Sequence, residues 1–268
     1  MTAQKTMINA KEEFATPTLS SRLKSMLKLD FYRLFHTPLF YIMLGVAAII
    51  PAMVLGMSGA ETVAPDGTVQ KGIELTNAWQ IVESLGGSAV AENPLDFAGF
   101  ANINMLFIFA GLLMAIFIAH DYSSGFVKNI FTVHSKKTDY VVSKTTVGVF
   151  GGAGMIITYV IGTIAAALLT GKSFDVNVGG LVFCLLSKLF LMGIFCSLFV
   201  GVAVFFRSKL WMTIVFTFLF GMLLYPVGSV ATLASTVITM IIALVAGVAG
   251  AVIIGAGSSL ILRKRDLT

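Results

Sequence analysis

Apolar residues in this chain run together instead of alternating at the period of a half-buried strand or a soluble amphipathic helix. Six runs, at 39–57, 101–119, 146–169, 179–206, 210–225 and 237–262, hold no Asp or Glu. A helix needs about 20 mostly apolar residues to cross a bilayer core. The pattern therefore predicts an all-α integral membrane fold, residues 1–268 forming a single transmembrane domain with six transmembrane helices. The first run starts beyond the window of a cleaved signal peptide, and no A-x-A-like site ends it. The fifth is short, and the apolar stretch after it, 226–236, is interrupted by Pro226 and Gly228. That predicts a re-entrant outer helix between spans five and six, which is tolerated only where protein or a wet cavity covers its backbone.

Polar positions fill in the rest. Within the cytoplasmic segment 1–37, Leu23, Met26, Leu27, Phe31, Leu34 and Phe35 recur at helical spacing, with Arg22, Lys24, Lys28 and Arg33 on the other faces. This reads as an amphipathic N-terminal elbow helix lying in the interface, with Pro38 marking its end. Residues 58–100 form the one sizeable outer loop, with Glu61, Asp66, Glu74, Glu83, Glu92 and Asp96 against Lys71. Pro65-Asp66-Gly67 reads as a turn, and 77–85 as a short helix. The loop is either a solvated cap or a cargo contact.

Composition agrees: 57% of residues are hydrophobic and 12% charged, with a mean hydropathy of +0.93. Soluble chains carry about 25% charged residues. The net charge of +5 invites a nucleic-acid reading, but 15 of the 18 basic residues fall on one side of the six runs. That is the positive-inside pattern, so no nucleic acid partner is expected. It places both termini in the cytoplasm and the chain in the plasma membrane as a multi-pass protein. Cys184 and Cys196 are twelve residues apart in one run, about 18 Å along a helix, beyond disulfide reach.

The loop 120–145 carries the most information. Phe126, Ile130 and Phe131 share one face of a short helix with polar and basic flanks. A displayed aromatic face of this kind suits docking into a groove on a soluble partner. The order acidic, aromatic, x, x, Gly, x, x, Lys, Asn, then Ser, basic residues and a later Lys is Asp121, Tyr122, Gly125, Lys128, Asn129, Ser135, Lys136 and Lys144. It resembles the loop after span two of type-2 ATP-binding-cassette (ABC) transporter permease subunits of the six-span exporter type. The run LDFYRLFHTPLFYI (29–42) is similar to that family's elbow and first span, and LRKRDL (262–267) to its basic end.

The resemblance implies a permease subunit working as a homodimer or with a paralogous permease, in the lipid bilayer, with two copies of a separate ABC ATPase subunit. The loop would be the coupling helix, with Asp121, Tyr122, Gly125, Phe126, Lys128, Asn129, Ile130 and Phe131 as its ATPase-coupling residues. The chain would not be an enzyme by itself and would hold no cofactor, ATP and Mg belonging to the partner. Cargo would cross at the dimer interface by alternating access. The alternative is a non-transporting ABC membrane subunit giving immunity, signalling or force transmission.

Catalytic chemistry finds no foothold. Gly171-Lys172-Ser173 imitates the tail of a phosphate-binding loop, but Ala166 stands where the first Gly is needed. His36, His120 and His134 lack metal-ligand spacing, and spans free of acids argue against a proton relay. The missing polar lining favours an amphipathic or hydrophobic cargo such as an antimicrobial peptide, lipid or drug. Lys188 is the exception, an intramembrane charge that is a functional candidate by default. It is a candidate for the cargo path, unless its stem snorkels outward. Two small-residue stripes, Gly154, Thr158, Gly162 and Ala166, then Ala243, Gly247, Ala251, Gly255 and Ser259, predict close helix packing. They serve either packing within the chain or a dimer seam.

Overall fold

The computed structural model describes residues 18–58, 61–63, 69–71, 75–82, 102–132, 136–207 and 209–264. Lys5, Lys11, the Pro65-Asp66-Gly67 turn, Glu83, Glu92, Asp96, His134, Ser135 and Arg265 lie outside them. Eight α-helices make up the fold among the described residues: α1 Leu19–Phe35, α2 Pro38–Gly56, α3 Met105–Ser123, α4 Phe126–Thr132, α5 Lys137–Thr170, α6 Val178–Phe206, α7 Leu210–Ser229 and α8 Val237–Lys264. Six of them are long and apolar enough to cross a membrane. A small antiparallel ribbon, β1 Glu61–Val63 with β2 Val69–Lys71, lies in the 58–100 loop of this otherwise all-helical fold.

Helix α3 is the centre of the bundle, with twelve of its 19 residues buried. Around it α8 packs along α6, and α2 along α5. Small residues permit both approaches: a Cβ on Gly247 would meet the Phe190 carbonyl of α6, and one on Gly162 the Ala48 backbone of α2. Helices α7 and α8 leave rows of Ile, Val, Leu and Phe exposed, as surfaces facing lipid do.

Two elements differ from expectation. Helix α5 begins at Lys137, well before the apolar run at 146, and spans 34 residues, about 51 Å. The re-entrant helix over 226–236 does not form. Helix α7 carries Pro226 within it and ends at Ser229, leaving only residues 230–236 to reach α8, too few to descend and return as helix.

At the end of the bundle away from α4, a 3-10 helix at Ala78–Val82 is buried through Ala78, Trp79, Ile81 and Val82. It answers the short helix expected at 77–85. The Ala78 N–H donates to the Ser173 carbonyl at 3.0 Å, and the Tyr159 hydroxyl donates to the Ile81 carbonyl at 3.1 Å. Gly171, at φ 68°, stops α5, and the Lys172 N–H returns to the Ala167 carbonyl at 3.1 Å. The Gly-Lys-Ser triplet is thus a left-handed helix stop followed by a docking point for the cap.

Candidate coupling site

At the opposite, basic end, three helices bring their charges together. Helix α1 buries Met26, Asp30 and Leu34 on one side, so an acid sits in the middle of its apolar stripe. Helix α3 ends with buried Asp121, and the polar start of α5 buries Asp139, Tyr140, Ser143 and Lys144. The Lys144 ammonium lies 2.6 Å from Asp30 Oδ1 and 2.6 Å from Asp121 Oδ2. Ser143 Oγ donates to Asp30 Oδ2 at 2.6 Å, and the Tyr140 hydroxyl donates to Asp121 Oδ2 at 3.0 Å. Arg33 donates to Asp121 Oδ1. Its other terminal nitrogen, 3.9 Å from Asp30 Oδ1, makes no hydrogen bond among the described residues. Two carboxylates and two cations give a neutral cluster, which is what allows it to be buried. On its edge, Arg22 Nε donates to Asp139 Oδ2 at 3.0 Å.

Helix α4 is built onto this cluster. Gly125, at φ 72°, turns the chain between α3 and α4 through a conformation other residues rarely adopt. Phe126 then lies under Arg33, with the guanidinium carbon 4.0 Å from the ring centroid, a cation–π geometry. Phe131 meets Tyr140 edge-on at 5.7 Å. Val127 is buried, and Tyr122, Ile130 and Phe131 are half-buried against the core. The expectation of an outwardly displayed aromatic face is corrected here. The aromatics turn inward because Arg33, Tyr140 and the apolar core offer partners that water does not. Lys128, Asn129 and Thr132 face out.

Sequence reasoning singled out Asp121 and used Lys144 as part of the loop pattern, but missed Asp30, Arg33, Tyr140 and Ser143 as their partners. The readable signal was Asp30 itself, four residues from both Met26 and Leu34.

The other candidates lie elsewhere. Lys188 is fully buried in α6. Its ammonium donates to Asn104 Oδ1 at 2.7 Å and to the Gly228 carbonyl at 2.9 Å. It therefore joins the turn before α3 to the last turn of α7, where helix carbonyls lack intrahelical donors. Gly154 faces Leu44 of α2, where a Cβ would lie a tight 3.3 Å from the leucine side chain, and Gly255 faces Ser197 of α6 at 3.6 Å. Like Gly162 and Gly247, they lie at helix contacts within this chain. Cys184 and Cys196 are buried and form no disulfide; the Cys184 thiol donates to the Ala231 carbonyl at 3.5 Å.

No curated protein and no solved structure matches the chain. A family model described as ABC-2 family transporter protein matches residues 26–224. That stretch runs from the cluster-bearing face of α1, through α4, to the end of the apolar part of α7, and so takes in most of the chain. With six apolar helices long enough to span a membrane, the chain belongs to the ABC-2 family of transporter membrane proteins.

Proposed function

We propose that the chain is the permease subunit of an ATP-driven exporter, pairing with a second permease, identical or paralogous, and with two copies of a separate ABC ATPase that holds ATP and Mg. The positive-inside pattern orients the basic end, α1 and α4 toward the cytoplasm and the 3-10 cap outward, in the plasma membrane. One observation carries the reading: α4, a seven-residue helix too short to persist alone, is held to three longer helices through Phe126, Phe131 and the cluster beneath them. A push on α4 then moves the ends of α1, α3 and α5 together. Lys128 and Asn129, exposed on its outer side, are the side chains available to an ATPase groove. The cargo is amphipathic or hydrophobic, since the groove between α6, α7 and α8 is lined almost wholly by apolar atoms.

The test is co-expression with the separate ABC ATPase subunits of the source organism, followed by co-purification and uptake of fluorescent lipid or peptide into inverted vesicles. Wild type should retain the ATPase, and Lys128→Glu with Asn129→Asp should lose it while remaining folded. Failure of wild type to retain the ATPase refutes the reading. Retention without ATP-dependent uptake of either cargo class refutes the exporter assignment and leaves a non-transporting complex.

A further inference from the structure

A groove runs between α5 and α8 on the membrane-facing side. Its two halves, about 470 and 430 Å³, share Thr145, Thr146, Val248 and Ala251. From Thr138 to Ala153 it follows α5 for about 22 Å, somewhat more than the ~15 Å of one leaflet's hydrocarbon. Its lining is apolar with one anomaly. Thr146, Thr158, Thr163 and Thr170 of the same helix each return their hydroxyl to the carbonyl four residues back. Thr145 does not: its Oγ1 has no hydrogen-bond partner among the described residues, although it lines both halves of the groove. A buried hydroxyl without a partner is unfavourable.

The mouth of the groove is basic. Lys137 Nζ donates to the Leu262 carbonyl at 2.9 Å, which brings the start of α5 to the end of α8, with Lys136 and Arg263 as the adjoining residues of the two helices. Lys136 and Arg263 are exposed. Asp139, the acid in the first turn of α5, is already paired with Arg22 and does not neutralise them. Thr145 lies eight residues above Lys137, about 12 Å, and next to Lys144, where the buried charges end.

We propose that this groove binds one anionic phospholipid of the leaflet at the basic end. An acyl chain lies along Val142, Val248 and Val252, and the phosphate is held by Lys136, Lys137 and Arg263. Charge complementarity selects this occupant. A second copy applied to the same face by two-fold symmetry would oppose two basic mouths, a like-charge contact that disfavours association. The site is independent of the export reading, since it requires no cargo movement and no ATPase.

The experiment uses the full chain in liposomes doped with phosphatidylglycerol carrying a diazirine in its acyl chain, or with phosphatidylcholine of the same chain. Adducts are mapped by peptide mass spectrometry. Phosphatidylglycerol should label residues 138–153 and 248–259 in preference to phosphatidylcholine. Lys136→Gln and Arg263→Gln, both at exposed positions, should each lower that labelling about five-fold without affecting phosphatidylcholine. Ala256→Trp, at an exposed residue of the lining, should fill the groove and remove labelling by both lipids. Circular dichroism and elution profile check that each variant is folded. Equal labelling by the two lipids, adducts confined to other segments, or unchanged labelling in the Gln variants would overturn the proposal. So would ready disulfide formation between copies of Val252→Cys, which would show the face occupied by a second chain.

Discussion

Lys144→Met removes the one ammonium that touches both buried carboxylates. Each contact is 2.6 Å long, worth about 6 kcal/mol at an effective dielectric of 20. Burying an ammonium and two carboxylates costs several kcal/mol per ion, so the intact cluster is far less stabilising than that sum. Its loss is another matter, because Asp30 and Asp121 would remain buried with Arg33 alone, one charge in excess. Breaking such a pair typically costs about 3–5 kcal/mol, and that is the expected destabilisation of Lys144→Met. Asp30→Asn keeps the acceptor for Ser143 but leaves the cluster one charge positive, and should cost a similar amount. The double variant restores neutrality, with Arg33 still paired to Asp121. It should therefore be less destabilised than the two singles added, by about 2–3 kcal/mol. The assay is SDS-driven unfolding of the purified chain in mixed micelles, followed by far-UV circular dichroism. Additivity within about 0.5 kcal/mol, or a Lys144→Met effect below about 1 kcal/mol, would show that these groups do not act as one buried cluster.

Other substitutions separate local from global roles. Gly125→Val forces a β-branched residue into a positive-φ turn at about 1–2 kcal/mol; amide exchange in 126–132 should accelerate some five- to thirty-fold, and an unchanged rate would refute the strain. Lys188→Met leaves the Gly228 carbonyl and Asn104 without their ammonium donor and should lower unfolding stability by about 1–3 kcal/mol. A variant as stable as wild type would mean that those bonds hold nothing together. Gly247→Ala places a methyl against the Phe190 backbone and should cost about 1–3 kcal/mol. Gly45→Ala, with nothing within 4 Å of the new Cβ, should stabilise α2 by up to about 1 kcal/mol, and the same sign for both would contradict the packing derived for α6 and α8.

The six long helices were readable because lipid imposes one simple demand, about 20 apolar residues per crossing. The true start of α5 was not. Residues 137–145 read KTDYVVSKT, a polar loop by hydropathy. Yet they are helical, because Asp139, Tyr140, Ser143 and Lys144 find partners on α1 and α3 instead of water. Hydropathy marks where the membrane ends, not where the helix ends. Pro226 misled in the other direction. It suggested a break, yet α7 continues through it to Ser229, a proline forfeiting its own helical N–H bond without forcing the helix to stop. The ion cluster had half a signature, an acid on an apolar stripe, but its partner is 114 positions away in sequence, and no local spacing encodes such a pairing. Likewise the close contacts of Gly162 and Gly247 were legible as small-residue stripes, while the choice of α2 and α6 as partners depends on the whole bundle.

The inward turn of the α4 aromatics changes what the loop pattern means physically. Had Phe126 and Phe131 faced outward, α4 would be a ligand on a flexible tether, and a partner could seize it without moving anything else. Bound under Arg33 and against Tyr140, the helix cannot shift without stretching a contact to α1 or α5. Asp121 then has a mechanical consequence: it ties the end of α3 to Arg33 of α1 and Lys144 of α5 at once. A buried ion cluster is a poor source of net stability, but its geometry is demanding, since moving any one member strands the others. Such an arrangement favours displacement of the three helix ends as one body over bending at any single joint. The outer side of α4, Lys128 and Asn129, is then free to vary with whatever partner it meets, while the inner side is fixed by this chain alone.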